Sequence, residues 1–260
     1  MKKILFILCL AVWCTSSGQL SKPDKKILFV VSNAHYYGDS KINTANHFAE
    51  IVLAYKEFIQ ADYEVDIISP KGGRAPLSYI YSDQVLQEYL FDSDFMSKLN
   101  HTKRPDDVLA EDYVAIYFPG GGAAMFGIHD NKHINKLAKD IYEQPGGIIS
   151  AVCHGTAGIA EIKLANGRFL VAGKKVSGFP DLFENKEADY FKTFPFSIEE
   201  RVVKNGGEFL YSTEGWDEHY VIDDKLITGQ DPTSSAGVAQ AVIKKIQQKQ
   251  LSQTSRSNQQ

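Results

Sequence analysis

Ala151-Val152-Cys153-His154-Gly155 sets a thiol beside an imidazole at the end of an apolar run. A thiolate is a strong nucleophile, and a neighbouring imidazole can take its proton. The residues two before and two after the cysteine are small. A nucleophile elbow needs this, because its strained turn brings the strand and the following helix close together. A helix N-terminus behind the sulfur would favour the thiolate. A lone cysteine is by default an inert core residue; the strand–Cys–His–Gly–helix context argues for a reactive one.

A second cluster, Pro119-Gly120-Gly121-Gly122-Ala123, also closes an apolar run. Glycines let backbone N–H groups approach an oxyanion closely, and with the N–H of His154 they would form an oxyanion hole. Glu50 stands among Phe48, Ile51 and Val52. Burial there would raise its pKa toward neutrality, which suits proton transfer. Taken alone, Glu50 reads rather as a helix-surface residue and Glu184 as a loop carboxylate. His129 and His133 have i, i+4 spacing but lack the glutamate of a metalloprotease helix. They read as loop or surface histidines, and no metal or other cofactor is expected. His35, Tyr36 and Tyr37 follow the first strand as pocket or loop residues. Trp216 and His219 read as rim packing.

Behind these residues, apolar runs over 27–32, 65–69, 113–118 and 148–152 predict strands buried on both faces. Helices are expected over 44–60, 82–99, 131–143 and 234–247, with a short one from Thr156. Residues 169–171 and 174–176 read as a hairpin, and 208–211 and 226–228 as short strands. Strand and helix alternate along most of the chain. This predicts one α/β domain over 25–248, with a mostly parallel sheet and helices on both faces. Ligands of such sheets bind at the carboxyl ends of the strands, so the loops after Ser32, Phe118 and Val152 matter most.

The 260 residues are 43% hydrophobic and 23% charged, with net charge −4 and no basic block. That composition is globular and argues against a nucleic-acid partner. Lys2 and Lys3 precede an apolar run, and Thr15, Ser16, Ser17 and Gly18 follow it. This is a signal-peptide pattern over 1–18, too short to span a membrane. It predicts export to the periplasm or beyond; the alternative is a cytoplasmic protein whose basic start opens a first strand. Two of the three cysteines, Cys9 and Cys14, would leave with the leader. Cys153 would then be the single thiol. Residues 249–260, rich in Gln and Ser, read as a disordered tail.

Taken together and in order, these motifs make the chain recognisable. They are Glu50 with Phe58, Ile68-Ser69-Pro70-Lys71-Gly72-Gly73, Pro119-Gly120-Gly121, Ala151-Val152-Cys153-His154-Gly155, Gly178-Phe179-Pro180-Asp181 and Leu226-Ile227-Thr228-Gly229-Gln230-Asp231-Pro232. The chain resembles the ThiJ/PfpI (class-I glutamine-amidotransferase-like) superfamily, in the branch of heat-shock-type chaperones and glutathione-independent glyoxalases. The resemblance implies a flavodoxin-like three-layer sandwich with a nucleophile elbow. It implies Cys153 as nucleophile, Glu50 as buried acid/base, His154 as the triad histidine and Glu184 as the carboxylate that orients it. The backbones of Gly120 and Gly121 match the oxyanion site, with Gly122 beside them. It further implies a small carbonyl substrate such as methylglyoxal, lyase-type (D-lactate dehydratase or deglycase-like) chemistry, and allows a homodimer. Two departures stand out. Gly122 and Ala123 occupy places where relatives usually carry His and Gly, and Ala54 stands where Pro is frequent. A cysteine amidase or peptidase, and a non-enzymatic chaperone or oxidative-stress sensor, remain open alternatives.

Overall fold

The computed structural model describes residues 26–78 and 83–257, with side chains through 252. The expected leader, with Cys9 and Cys14, and Ser82 at the start of an expected helix lie outside the described residues. Six strands form the central sheet: β1 Lys26–Val30, β2 Val65–Ile68, β3 Tyr113–Phe118, β4 Ile148–Val152, β5 Tyr220–Asp223 and β6 Leu226–Gly229. Their spatial order is β2-β1-β3-β4-β6-β5. All neighbours pair in parallel except β5, which runs antiparallel to β6 at the edge.

Period-two alternation sends successive strand residues to opposite faces. Ile27 and Phe29 join one buried cluster with α1 (Phe48–Gln60) and the closing α6 (Ser235–Ser257). Leu28 and Val30 join another with α4 (Lys132–Glu143). The result is the expected three-layer, flavodoxin-like sandwich. Phe29 sits at the centre of the first layer, its ring 4.8 Å from Tyr117 and 5.9 Å from Phe58. Truncating such a residue to alanine costs about 3–5 kcal/mol.

Several local expectations need correction. The helix expected over 82–99 is two helices, α2 (Gln84–Phe91) and α3 (Ser93–Asn100). Asp92 between them is extended, and its carboxylate accepts from the N–H groups of Asp94 and Phe95, which starts a new helix. The hairpin expected near 169–176 does not form. Lys175–Val176 instead pairs in parallel with Glu208–Phe209, while Phe169 bridges back to Lys163. β5 is an edge strand that the local pattern did not reveal, because its residues are half-exposed or exposed. α6 continues to Ser257, well into the expected disordered tail. Gln and Lys are good helix formers, and no Gly or Pro interrupts the chain after Gly237. α5 (Ile198–Lys204) closes the long excursion that follows Gly178.

Candidate active site

β4 delivers Cys153 to the carboxyl edge of the sheet, where the chain turns at once. Cys153 has φ +58°, in the left-handed region, and is 3% exposed. Such a backbone costs a non-glycine residue about 1–2 kcal/mol, so the surroundings must hold it there. Gly155 does much of this. A Cβ at that position would collide with the carbonyl oxygen of Phe118, so the elbow packs directly on the end of β3. The segment Cys153–Gly158 is a 3-10 turn rather than the expected start of an α-helix. The thiol therefore faces individual N–H groups, those of His154 and Gly121, and not a long helix dipole.

His154 Nδ1 lies 3.3 Å from Cys153 Sγ, and His154 Nε2 lies 2.7 Å from Glu184 Oε1. With the proton on Nε2 donated to Glu184, Nδ1 is free to accept from the thiol. Glu184 is 6% exposed at the side chain. Its second oxygen accepts from the Tyr190 hydroxyl at 3.2 Å. Phe179 stacks on the imidazole at 4.7 Å, which fixes the ring plane.

Glu50 enters from the first turn of α1 and is fully buried. Burial raises its carboxyl from 4.5 to about 8, the nearby Asp231 pushing the same way and the Gly120 N–H and Cys153 thiol opposing. Burial also pushes the Cys153 thiol well up, and the Glu50 carboxylate adds to this. The N–H groups of His154 and Gly121 pull the thiol back down. Because ionising both groups is costly in so dry a place, Glu50 keeps its proton through neutral pH. The site thus places a neutral acid against the nucleophile.

One expected role is revised here. The N–H of Gly120 donates to Glu50 Oε2 at 2.5 Å and is not free to bind an oxyanion. The N–H groups of Gly121 and His154 are the donors aimed at the reacting centre. Gly122 lines the site, and a Cβ there would run into the Tyr37 hydroxyl.

These groups open into a cavity of about 340 Å³ lined also by Tyr37, His47, Trp216 and Pro232. His47 was not singled out in the sequence, where it reads as an ordinary helix-start residue. Burial, with His154 nearby, lowers its pKa to about 3, so its imidazole is neutral. Asp231, 1% exposed, accepts from the N–H of Trp216 at 2.9 Å and from the Thr233 hydroxyl at 2.6 Å. It thereby pins the cavity rim. Tyr36 is exposed and lies off the cavity, and His35 lines a neighbouring hollow. His219 does not line the cavity; its carbonyl accepts from Gln230 and Ser234. His129 pairs with Glu161 and His133 with Asp106, so the two histidines do not converge. Among the described residues no cluster of three or more His, Cys, Asp or Glu is arranged to hold a metal. No described helix is long and apolar enough to cross a membrane.

A mostly parallel sheet with a left-handed cysteine at the turn after its fourth strand, faced by a Glu from the first helix, defines a cysteine-elbow α/β protein. The chain belongs to the DJ-1/PfpI family, whose sequence profile matches residues 43–245. It is 29% identical to the glutathione-independent glyoxalase hsp3102 of Schizosaccharomyces pombe, over 84% of this chain and 96% of that one. It is 30% identical to the glutathione-independent glyoxalase HSP31 of Saccharomyces cerevisiae, over 84% and 95%. The crystal structure of glyoxalase III from Candida albicans superimposes with a TM-score of 0.75 at 26% identity, covering 85% of this chain and 97% of that one.

Proposed function

We propose that this chain is a cysteine-dependent, glutathione-independent glyoxalase-type enzyme that turns methylglyoxal-type 2-oxoaldehydes into 2-hydroxy acids. The observation that carries this reading is a thiol flanked by two proton carriers. One is the Glu50 carboxyl, raised to about 8, and the other is His154 Nδ1, 3.3 Å from the sulfur. The fungal relatives matched along nearly their whole length are named glutathione-independent glyoxalases, which supports the same reading.

The thiol passes its proton to His154, and the sulfur adds to the aldehyde carbon. The new alkoxide lies under the N–H groups of Gly121 and His154 and takes the Glu50 proton, giving a hemithioacetal. Glu50, now a carboxylate, removes the hydrogen from that carbon while the imidazolium protonates the ketone oxygen. Glu50 then gives its proton to the second carbon of the resulting enediol while the hydroxyl on the sulfur-bearing carbon gives its proton to His154, leaving a thioester. Water then loses a proton to Glu50 and attacks the thioester carbon, and the departing sulfur takes the proton from His154. One carbon is oxidised, its neighbour is reduced, and no outside electron carrier is needed. Glu184 holds the imidazole in place and stabilises it when charged. The leader pattern over 1–18 points to export; N-terminal sequencing of the native protein, expected to begin at residue 19, checks this.

The test is lactate formation from methylglyoxal by the purified chain without glutathione. Wild type is expected to turn over, and Cys153→Ala and Glu50→Gln to lose about 10²-fold or more. A folded wild-type protein that forms no lactate overturns the reading for this substrate.

A further inference from the structure

The geometry points to aryl 2-oxoaldehydes, rather than the three-carbon aldehyde, as the preferred substrates of this site, with Tyr37 as the residue that selects them. This inference rests on the glyoxalase-type reading and narrows it. The cavity of about 340 Å³ falls within the range that encloses drug-sized ligands, ~300–1,000 Å³. Methylglyoxal, with five heavy atoms, would leave most of it to water.

The walls are aromatic. Tyr37, Phe179, Phe183, Tyr190, Phe194 and Trp216 all line the cavity. Tyr37 lies 5.3 Å from Tyr190 and 6.0 Å from Phe194, with both ring pairs tilted by about 40°. Phe179 faces the cavity from beside His154. Such rings favour a flat apolar group at offset-stacked or edge-on distances. No lysine or arginine is among the lining residues. The lining carboxylate, Glu184, is engaged by His154 and Tyr190. A substrate bearing a carboxylate or phosphate would therefore lose its hydration without gaining a fixed cation.

Gly122 makes this wall possible. All three of the nearest atoms to a Cβ built there belong to the Tyr37 side chain. A larger residue would displace that ring, and glycine lets it close against the loop that follows β3. An aryl group standing beyond the ketone carbon would meet Tyr37 while its aldehyde carbon faces Cys153. The reaction is unchanged in kind: phenylglyoxal and water give mandelate, with the aldehyde carbon oxidised and the ketone carbon reduced.

The experiment compares kcat/KM for phenylglyoxal and methylglyoxal in wild type, Tyr37→Leu and Gly122→Ala, each checked for folding by circular dichroism. Wild type is expected to favour phenylglyoxal by about tenfold or more. Both variants are expected to reduce that ratio at least about fivefold, whereas mere loosening of the fold would lower both rates alike. Gly122→Ala adds one methyl whose three nearest neighbours are all atoms of the Tyr37 side chain, so it reports on the ring without removing it. Turnover of methylglyoxal equal to or better than that of phenylglyoxal overturns the aryl preference and leaves the glyoxalase reading standing. An unchanged ratio in both variants removes Tyr37 from the role. No turnover of either aldehyde by folded protein overturns both readings together.

Discussion

Glu50 Oε2 accepts a 2.5 Å hydrogen bond from the backbone N–H of Gly120, so the loop that passes beneath the thiol also holds the acid of the site. The other oxygen, Oε1, is buried and accepts no N–H or O–H. A carboxylate with one bare, desolvated oxygen is unfavourable, and a protonated carboxyl relieves this. The same contact explains why the acid points at Cys153 and why Gly120 has no free donor.

The first prediction concerns stability. Glu50 is raised from 4.5 to about 8, so between these values the folded chain keeps a proton that the unfolded chain has released. Stability from this group is full below pH 4.5, falls as pH rises through the window, and levels off above 8. The total loss is on the order of a few kcal/mol. Glu50→Gln removes the titration while keeping the shape. Urea midpoints measured from pH 5 to pH 8.5 should fall in wild type relative to the variant, because the titration of buried His47, with its pKa lowered to about 3, is common to both. Parallel curves would mean that Glu50 does not hold its proton in the fold.

The second prediction separates the partners of His154. Glu184 Oε1 lies 2.7 Å from His154 Nε2, whereas Tyr190 reaches only the far oxygen of Glu184, at 3.2 Å. Glu184→Gln should lower kcat by about 10²-fold with little change in KM, because the imidazolium loses its counter-charge. Tyr190→Phe should cost only a few-fold, the effect of one neutral hydrogen bond of ~1 kcal/mol. Equal losses in steady-state kinetics would mean that the Glu184 charge is not what matters.

The third prediction tests the elbow. Gly155→Ala drives a methyl into the Phe118 carbonyl oxygen and should cost about 3 kcal/mol. Gly167 is a control: its φ is +79°, yet nothing lies within 4 Å of a Cβ there. Gly167→Ala should cost only the backbone strain, about 1 kcal/mol. Differential scanning calorimetry should show Tm lowered by roughly 6–12 °C and 2–4 °C respectively. Matching shifts would show that space at Gly155 is not the constraint.

The strands that carry the site were legible because they are local and almost wholly buried. Tyr113–Phe118 and Ile148–Val152 are continuous apolar runs closed by Pro119 and Cys153, and both appear with those limits. The Cys153–His154 pair was legible for the same reason. Glu50 and Glu184 were placed by family resemblance; their own sequence surroundings left each ambiguous, because the residues that bury them come from distant segments. His47, Tyr190 and Asp231 were not assigned roles at the site, since each gains its meaning only from a neighbour far along the chain. The Gly120 role was misassigned because identical glycines differ only in where their N–H groups point. The false hairpin near 169–176 has the same origin, its true partner Glu208–Phe209 lying more than thirty residues onward.

The last prediction reads the charge coupling directly. The Cys153 thiol is pushed up by burial first and by the Glu50 carboxylate second. Above pH 8 Glu50 is ionised and opposes the thiolate; below it Glu50 is neutral and its O–H can support the sulfur. Removing the carboxyl should therefore act in opposite directions on the two sides of pH 8. At pH 9.5 Glu50→Gln should be alkylated by iodoacetamide several-fold faster than wild type, because one like charge has gone. At pH 6.5 the variant should react more slowly than wild type, because the amide is a weaker donor than the carboxyl it replaces. Mass spectrometry of the Cys153 peptide over time gives both rates. A uniform acceleration at the two pH values would point to a loosened pocket that admits the reagent. A crossover near pH 8 would identify Glu50 as the group that sets the thiol's reactivity.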